Sequence, residues 1–588
     1  MFDLISIATL FFVIISTTIL LLSINHFKKP PHLRRRLSLP PTPFALPIIG
    51  HLHLLGPIIH RSFHDLSSRY GPLFHLRLGS VPCFVVSTPE LAKEFLLTHE
   101  LKFSSRRDSI AIQRLTYDSA FAFAPYGPYW KFLKKLCTCD LLGARSINHF
   151  LPTRTRELHC FVRLLIDKAV ACEPVNITKE LSTLANNIIS QMMIGVRCSG
   201  TTGEAEEATT LAREVTKIFG EFNVSDFMWV IRNFDLQGFR KRVEDIYTRY
   251  DALLERIITN REEVREKNVQ ERKLGVGEGH HVKDFLDLLL DVLEEDHSEI
   301  NFSRDNIKGL ILLCCDGVAV EAGQRRCCEE EAMATEAVAV EDRRIYSDLF
   351  RSDLDDDDGG GGGGRSDFFT AGTDTSSIAI EWALAELINN PRVLQKAQEE
   401  IDNVVGKHRL VSESDGPNLP YIQAIIREAL RLHPPVPLIT RKSIEDCMIQ
   451  GYNIPANSML FVNVWSLARN PKYWDSPLDF LPERFLRPEK GGPVGPTDVK
   501  GQHFQLLPFG TGRRGCPGTS LAMQELPAML AAMIQCFEWK VVNQSGDVMN
   551  GDGALDMTEQ PGMTAPRAHD LVCMPIPRID QLYALLDP

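Results

Sequence analysis

Four aspartates followed by six glycines, Asp355–Gly364, stand between two stretches that read as halves of one buried helix. The first half is "IKGLIL" (Ile307–Leu312) and the second is "DFFTAGTDTSS" (Asp367–Ser377). Each helical glycine costs about 1 kcal/mol, and desolvating several unpaired carboxylates costs far more. No buried helix contains such a passage. From Leu313 to Ser366, 14 Asp and Glu against 6 Lys and Arg carry −8 of the chain's net charge of −12. The rest of the chain is therefore nearly balanced, without the basic footprint of a nucleic-acid binder. Joining Leu312 to Asp367 restores one continuous apolar helix. Residues 313–366 either loop into solvent or are no part of the working protein, and their low complexity favours a translated non-coding stretch.

The chain has 588 residues, enough for a large core. Its fourteen cysteines are scattered, which argues for buried thiols rather than a disulfide scaffold. Cys314, Cys315, Cys327 and Cys328 lack zinc-type spacing. "LISIATLFFVIISTTILLLSI" (Leu4–Ile24) has the length of a single membrane-spanning helix. It has no basic residue before it and no small-residue cleavage site after it, and Lys28, Lys29 and Arg34–Arg36 follow. An uncleaved single-pass anchor (residues 1–27) with the bulk of the chain on the cytosolic side is expected. Residues 28–50 form a basic, Pro-rich hinge, in which "PPTPFALPIIGH" (Pro40–His51) reads as a stiff spacer.

The remainder divides into 51–312 and 367–588 around the acidic passage and reads as one mainly α domain with a small β region. "RVEDIYTRYDALLERIITNREEVREK" (Arg242–Lys267) has helical spacing of its apolar residues. "IAIEWALAELINN" (Ile378–Asn390) ends at Pro391, which opens the next helix. Pro72–Thr88 predicts a hairpin turning at Gly79–Ser80, and Met448–Trp465 predicts two short strands around a turn.

The chemistry concentrates in "FQLLPFGTGRRGCPGTSLAMQELPAMLAAMIQCF". Cys516 lies in a glycine-rich loop ahead of a helical pattern, with Pro517 suited to the first helical turn. A sulfur beside a helix N-terminus is favoured as thiolate. Gly510, Gly512, Gly515 and Gly518 allow something large and flat to approach the backbone, and Arg513 and Arg514 can pair with its carboxylates. A thiolate of this kind suits a haem iron. On these residues alone, a structural cysteine in a tight turn stays open.

"FGTGRRGCPG" resembles the haem-binding loop of the cytochrome P-450 superfamily, F-x-x-G-x-R-x-C-x-G, with Phe509, Gly512, Arg514, Cys516 and Gly518 at every fixed position. "EALR" (Glu428–Arg431) matches the family's E-x-x-R helix and "PERF" (Pro482–Phe485) the segment whose arginine joins that pair. The resemblance implies a cytochrome P-450 fold, haem b held through Cys516, and a structural role for Glu428, Arg431 and Arg484. It places Trp130, Lys134 and Arg441 near the haem propionates. "AGTDTS" (Ala371–Ser376) matches the oxygen-activating helix, where Gly372 opens the helix and Asp374 and Thr375 relay protons. The anchor resembles that of microsomal plant members, which implies an endoplasmic reticulum membrane and electrons from NADPH through a cytochrome P-450 reductase.

Longer stretches, among them "AFAFAPYGPYWKFLKKL" and "LPYIQAIIREALRLHPPVPLITRKS", resemble flavone synthase II. That implies oxidation of a flavanone such as naringenin at C2–C3 to a flavone, by direct desaturation or by 2-hydroxylation and loss of water. By family position the substrate pocket takes in Phe121, Ala122, Phe369, Ala371, Val436, Leu438, Thr440, Met563, Thr564 and Ala565. The isoflavonoid-forming relative, 2-hydroxyisoflavanone synthase, usually reads S-T at Thr375–Ser376 and lysine at Thr440. Flavanone 2-hydroxylase is a further alternative. An inactive, haem-poor membrane protein is a third, produced by the interrupted distal helix.

Overall fold

A computed structural model of the chain describes residues 38–106, 109–197, 223–228, 234–235, 237–273, 283–294, 302–311, 372–486, 498–542 and 555–586, with Thr17, Leu211, Glu214 and Ile218 individually. The acidic passage, Phe369, Ala371 and, apart from Thr17, the expected anchor fall outside these residues. Among the described residues no helix is long and apolar enough to cross a membrane.

The longer helices are α1 (Ile59–Tyr70), α2 (Pro128–Lys135), α3 (Leu151–Val170), α4 (Ile177–Ile194), α5 (Phe239–Lys273), α6 (Phe285–Glu294), α7 (Arg304–Ile311), α8 (Asp374–Asn389), α9 (Pro391–Val404), α10 (Pro420–Leu432) and α11 (Thr519–Cys536). Among the described residues nine short strands accompany them: β1 (Leu73–Leu78), β2 (Val81–Val86), β3 (Val175–Asn176), β4 (Leu438–Lys442), β5 (Cys447–Ile449), β6 (Tyr452–Ile454), β7 (Met459–Asn463), β8 (Phe537–Val541) and β9 (Val572–Pro577). The main sheet runs β1-β2-β7-β4, with β2 and β7 parallel and the outer pairs antiparallel.

The expected hairpin forms with Leu78 opposite Val81, and Gly79 supplies the positive φ of 59° at its turn. The helices expected at Arg242–Lys267 and Ile378–Asn390 lie within α5 and α8, and Pro391 opens α9 as its missing N–H allows. The region Met448–Trp465 departs from expectation. It holds parts of three strands, and β6 pairs back onto β5 while the fully buried β7 enters the main sheet. Two polarity patterns met in one window and were indistinguishable by periodicity. The Pro-rich segment also differs. From Pro41 it is docked rather than standing off as a spacer: His75 N–H donates to the Pro41 carbonyl, and Gly50 bridges to Leu78.

Most of the core is one helical cluster. It joins α3, α4, α5 and α6 to Ile307, Leu310 and Ile311 of α7, to Ile380, Ala383 and Leu384 of α8, and to α11. Both halves of the interrupted helix therefore contribute to the same apolar interior. Where α8 lies against α11, Ser376 Oγ donates to the Glu525 carboxyl at 3.0 Å, both side chains being buried. Burial pushes Glu525 up to about 7, against the pull of Ser376 and the Arg154 charge, with the Glu413 charge adding to the rise.

A buried charge cluster fixes α10. Glu428 and Arg431 are fully buried and form a two-point pair at 2.7 Å. Arg431 also donates to the carbonyls of Ala468 and Pro477, and Arg484 Nε reaches Glu428 at 3.1 Å. The main-chain N–H of Leu481 donates to the same carboxylate at 2.9 Å. The expected triad is thus assembled, and it ties α10 to the chain segment 468–484 that leads into the cysteine loop.

Glu428→Ala leaves the Arg431 charge buried and unpaired, so a loss of about 3–5 kcal/mol is expected in urea unfolding. For Glu525, the unfolded chain loses its proton from about pH 4.5, while the folded chain keeps it to about 7. Stability therefore falls as pH rises through that window and is level above it. Glu525→Gln removes this fall. Its advantage over the parent chain in urea midpoint should grow between pH 4.5 and 7.5, by up to ~3 kcal/mol.

Candidate active site

The cysteine loop is built on a backbone that only glycine accepts easily. Gly510 and Gly512 have φ of 70° and 68°. Cys516 N–H donates to the Phe509 carbonyl at 2.9 Å and Gly515 N–H to Gly512 at 3.0 Å, closing the loop on itself. Gly518 is the N-cap of α11, and a β-carbon there would lie 3.7 Å from Cys516 Sγ. Pro517 stands two residues before the helix, not in its first turn, because the Pro517–Gly518 pair forms a turn of its own.

Cys516 keeps accessible surface although the chain crowds around its sulfur. Burial pushes its thiol up. The N–H groups of Gly518 and Thr519, the Thr519 hydroxyl and the Lys134 charge pull the other way. These are the donors expected at a helix N-terminus. Lys134, on α2, donates to the Gly515 carbonyl at 3.0 Å, and burial depresses its amine. Among the nine described cysteines, five are buried, and no disulfide joins any of them.

Cations gather beside this loop. Arg514 lies over the Trp130 ring at 4.5 Å and donates to the carbonyls of Ser104 and Ala124. Trp130 in turn stacks on Phe121, and its indole N–H is buried with no hydrogen-bond partner. Arg441, on β4, is buried, and the bond it shows is to its neighbour's carbonyl at Thr440. Arg106 also belongs here, with a buried Nε that has no partner. Burial lowers all three guanidiniums: Arg106 to about 10, Arg514 to about 9 and Arg441 well below the usual arginine range, with the Arg106 charge adding to the fall at Arg514 and the Arg106 and Arg514 charges adding to it at Arg441. Only Glu100 offsets the charge at Arg441, and Glu100 is itself bonded to Arg513. Arg513 lines the same cavity as Arg441 and Arg514, with its charge partly met by Glu100. Three desolvated cations and an orphaned indole N–H fit a ligand that brings two carboxylates. Together with the accessible thiol, the residues present fit haem.

Thr373 is the N-cap of α8, so Asp374 and Thr375 stand in its first turn, half-buried. A side chain at Gly372 would come within 2.9 Å of Ile189 on α4, which gives this glycine a packing reason as well as the expected conformational one. Of the pocket candidates, Leu438 and Thr440 are half-buried and alternate on β4, and Val436 precedes them. Phe121 and Ala122 are half-buried near Trp130, while Thr564 and Ala565 are buried and Met563 partly so. Phe369 and Ala371 lie outside the described residues. Sequence reasoning missed Arg106, which sits in a polar run "SSRRD" that reads as solvated surface, and Glu525, a lone acid in a helix.

The sequence pattern described as Cytochrome P450 matches residues 40–315 and 365–564. Cytochrome P450 93B2 of Gerbera hybrida is 54% identical over 97% of this chain and 97% of its own length. The 3,9-dihydroxypterocarpan 6A-monooxygenase of Glycine max is 45% identical over 92% and 94%, and a 2-hydroxyisoflavanone synthase of Glycyrrhiza uralensis 44% identical over 92% of both. On the cysteine loop, the buried Glu428–Arg431 pair and these likenesses, the chain belongs to the cytochrome P450 family.

Proposed function

We propose that this monooxygenase oxidises flavanones of the naringenin type to flavones by removing the C2 and C3 hydrogens. The extended likeness to flavone synthase II supports this reading over the isoflavonoid outcome, and one observation carries it: Thr375–Ser376 and Thr440 occupy the positions at which the isoflavonoid-forming enzymes differ. Thr440 is half-buried on β4, one residue from Arg441, where a long cationic side chain would add to an already crowded positive cluster. Overall, dioxygen is reduced to two waters by the two substrate hydrogens and by NADPH delivered through a partner reductase.

Haem with a thiolate donor supplies the redox and dioxygen chemistry when bound. The chain's own residues do the rest. Cys516, its sulfur met by the Gly518 and Thr519 N–H groups, would bind the iron. Trp130, Lys134, Arg441 and Arg514, joined by Arg106, hold the propionate side. Thr375, backed by Asp374, would supply protons from the first turn of α8 without admitting bulk water. Phe121, Ala122, Val436, Leu438 and Met563–Ala565 offer an apolar wall suited to a flat substrate. The site lies on the cytosolic side of an endoplasmic reticulum membrane, anchored by Leu4–Ile24.

The second reading, 2-hydroxylation without desaturation or with aryl migration, draws support from the relative named 2-hydroxyisoflavanone synthase. The family match also skips residues 316–364, in line with an acidic passage foreign to the catalytic domain.

The test is naringenin turnover in reductase-bearing microsomes, with and without residues 313–366, products identified by mass spectrometry. The shortened chain should form the flavone, and the full chain should be slower by about a hundredfold if Thr375 is displaced by an ångström. Equal activity would overturn the account of the passage. Only 2-hydroxynaringenin or an aryl-migrated product would overturn the flavone outcome.

A further inference from the structure

The carboxylate of Glu559 lies outside the haem loop and outside the proposed proton path. It nonetheless has three side-chain partners. It accepts from Arg61 Nε at 2.9 Å and from Trp465 Nε1 at 3.0 Å, and His60 Nε2 lies 3.0 Å from it. His60 and Arg61 belong to α1; Trp465 follows β7. Burial alone would raise Glu559, but His60, Arg61 and Arg469 outweigh it and hold the carboxyl down at about 2. The surrounding rings reinforce the site: Arg61 and Arg469 bracket the Trp465 ring at 5.7 and 4.0 Å.

Glu559 sits at the base of a hairpin. It bridges to Arg567, Gln560 N–H donates to the Pro566 carbonyl at 2.9 Å, and Ala568 N–H donates to Thr558 at 2.8 Å. Arg567 turns toward α8, with a guanidinium nitrogen 3.8 Å from Glu381. The tip carries Met563, Thr564 and Ala565. It is held at two points: Trp382 of α8 donates its indole N–H to the Ala565 carbonyl at 2.9 Å, and Ala565 N–H donates to the Pro435 carbonyl at 2.9 Å, next to Val436. A bridged hairpin base with a carboxylate clamp at one end thus leads to Met563, Thr564 and Ala565, at the expected substrate pocket.

We propose that Glu559 is a positioning residue for substrate selection: by clamping the 558–568 hairpin to α1 and Trp465, it sets how far Met563–Ala565 reach into the pocket. This rests on the reading of that pocket as the substrate site, and not on the substrate being a flavanone. The clamp has a physical cost that explains its bonding. A buried carboxylate is tolerated only with its partners in place, so the hairpin base has one allowed seat and the tip inherits its precision.

The experiment compares the full-length chain with Glu559→Gln and Arg61→Gln in membranes, by optical titration with two nitrogenous iron ligands. Imidazole is too small to reach the hairpin tip; clotrimazole fills the pocket. Glu559→Gln should weaken clotrimazole about tenfold and leave imidazole unchanged, with an undiminished reduced carbon-monoxide band. Arg61→Gln, which removes one donor from a partly exposed position, should shift clotrimazole in the same direction by about two- to threefold. Equal shifts for both ligands, or none, would overturn the proposal. If Glu559→Gln gives no carbon-monoxide band, the Arg61→Gln ratio decides in the same way. Naringenin is titrated alongside. A parent chain that answers clotrimazole but not naringenin refutes the flavanone reading while leaving the clamp standing or falling on the imidazole-to-clotrimazole ratio.

Discussion

Desolvated positive charge is the constraint around which this molecule is organised. Arg106, Arg441 and Arg514 are drawn out of water beside the Cys516 loop, and burial depresses each of them. Such a cluster is unfavourable unless something anionic completes it. The same region turns helix N-terminal N–H groups and the Lys134 amine toward a sulfur that burial alone would keep protonated. Cation cluster and sulfur make opposite demands on proteins in general. A flat ligand with a metal centre and carboxylate edges satisfies both together.

The rest of the fold holds that region still. The Glu428–Arg431–Arg484 cluster offsets its own desolvation with seven further hydrogen bonds to backbone and fixes the approach to the loop. The helix that starts just after Cys516 is tied across the core to α8 through Glu525 and Ser376. That tie is one residue from Thr375, so the helix that follows Cys516 and the first turn of α8 are joined directly. The 558–568 hairpin spans from α1 to α8 and brings a third element to the same space.

Much of this was legible in the sequence, for physical reasons that differ by element. The cysteine loop could be read because its glycines answer a backbone need and its spacing is restrictive. The hairpin at Gly79 and the α8–α9 boundary could be read because glycine and proline act locally. What escaped was decided by partners far along the chain. Arg106 reads as surface until the fold brings it beside Arg441 and Arg514. Glu525 reads as an exposed helical acid until Ser376, about 150 residues earlier, meets it. Strand β5 was hidden because its partner choice, and not its own pattern, separates it from β7. The docking of the Pro-rich segment on β1 was hidden for the same reason.

The claim that underlies the whole account is a bond between the Cys516 sulfur and a haem iron. The most direct measurement is the carbon-monoxide difference spectrum of reduced membranes bearing the chain and its Cys516→Ser variant. The account predicts a thiolate-type Soret band from the parent chain and its loss in the variant, with haem-loop folding otherwise tracked by antibody-detected protein level. An unaltered thiolate-type band in the serine variant would contradict it.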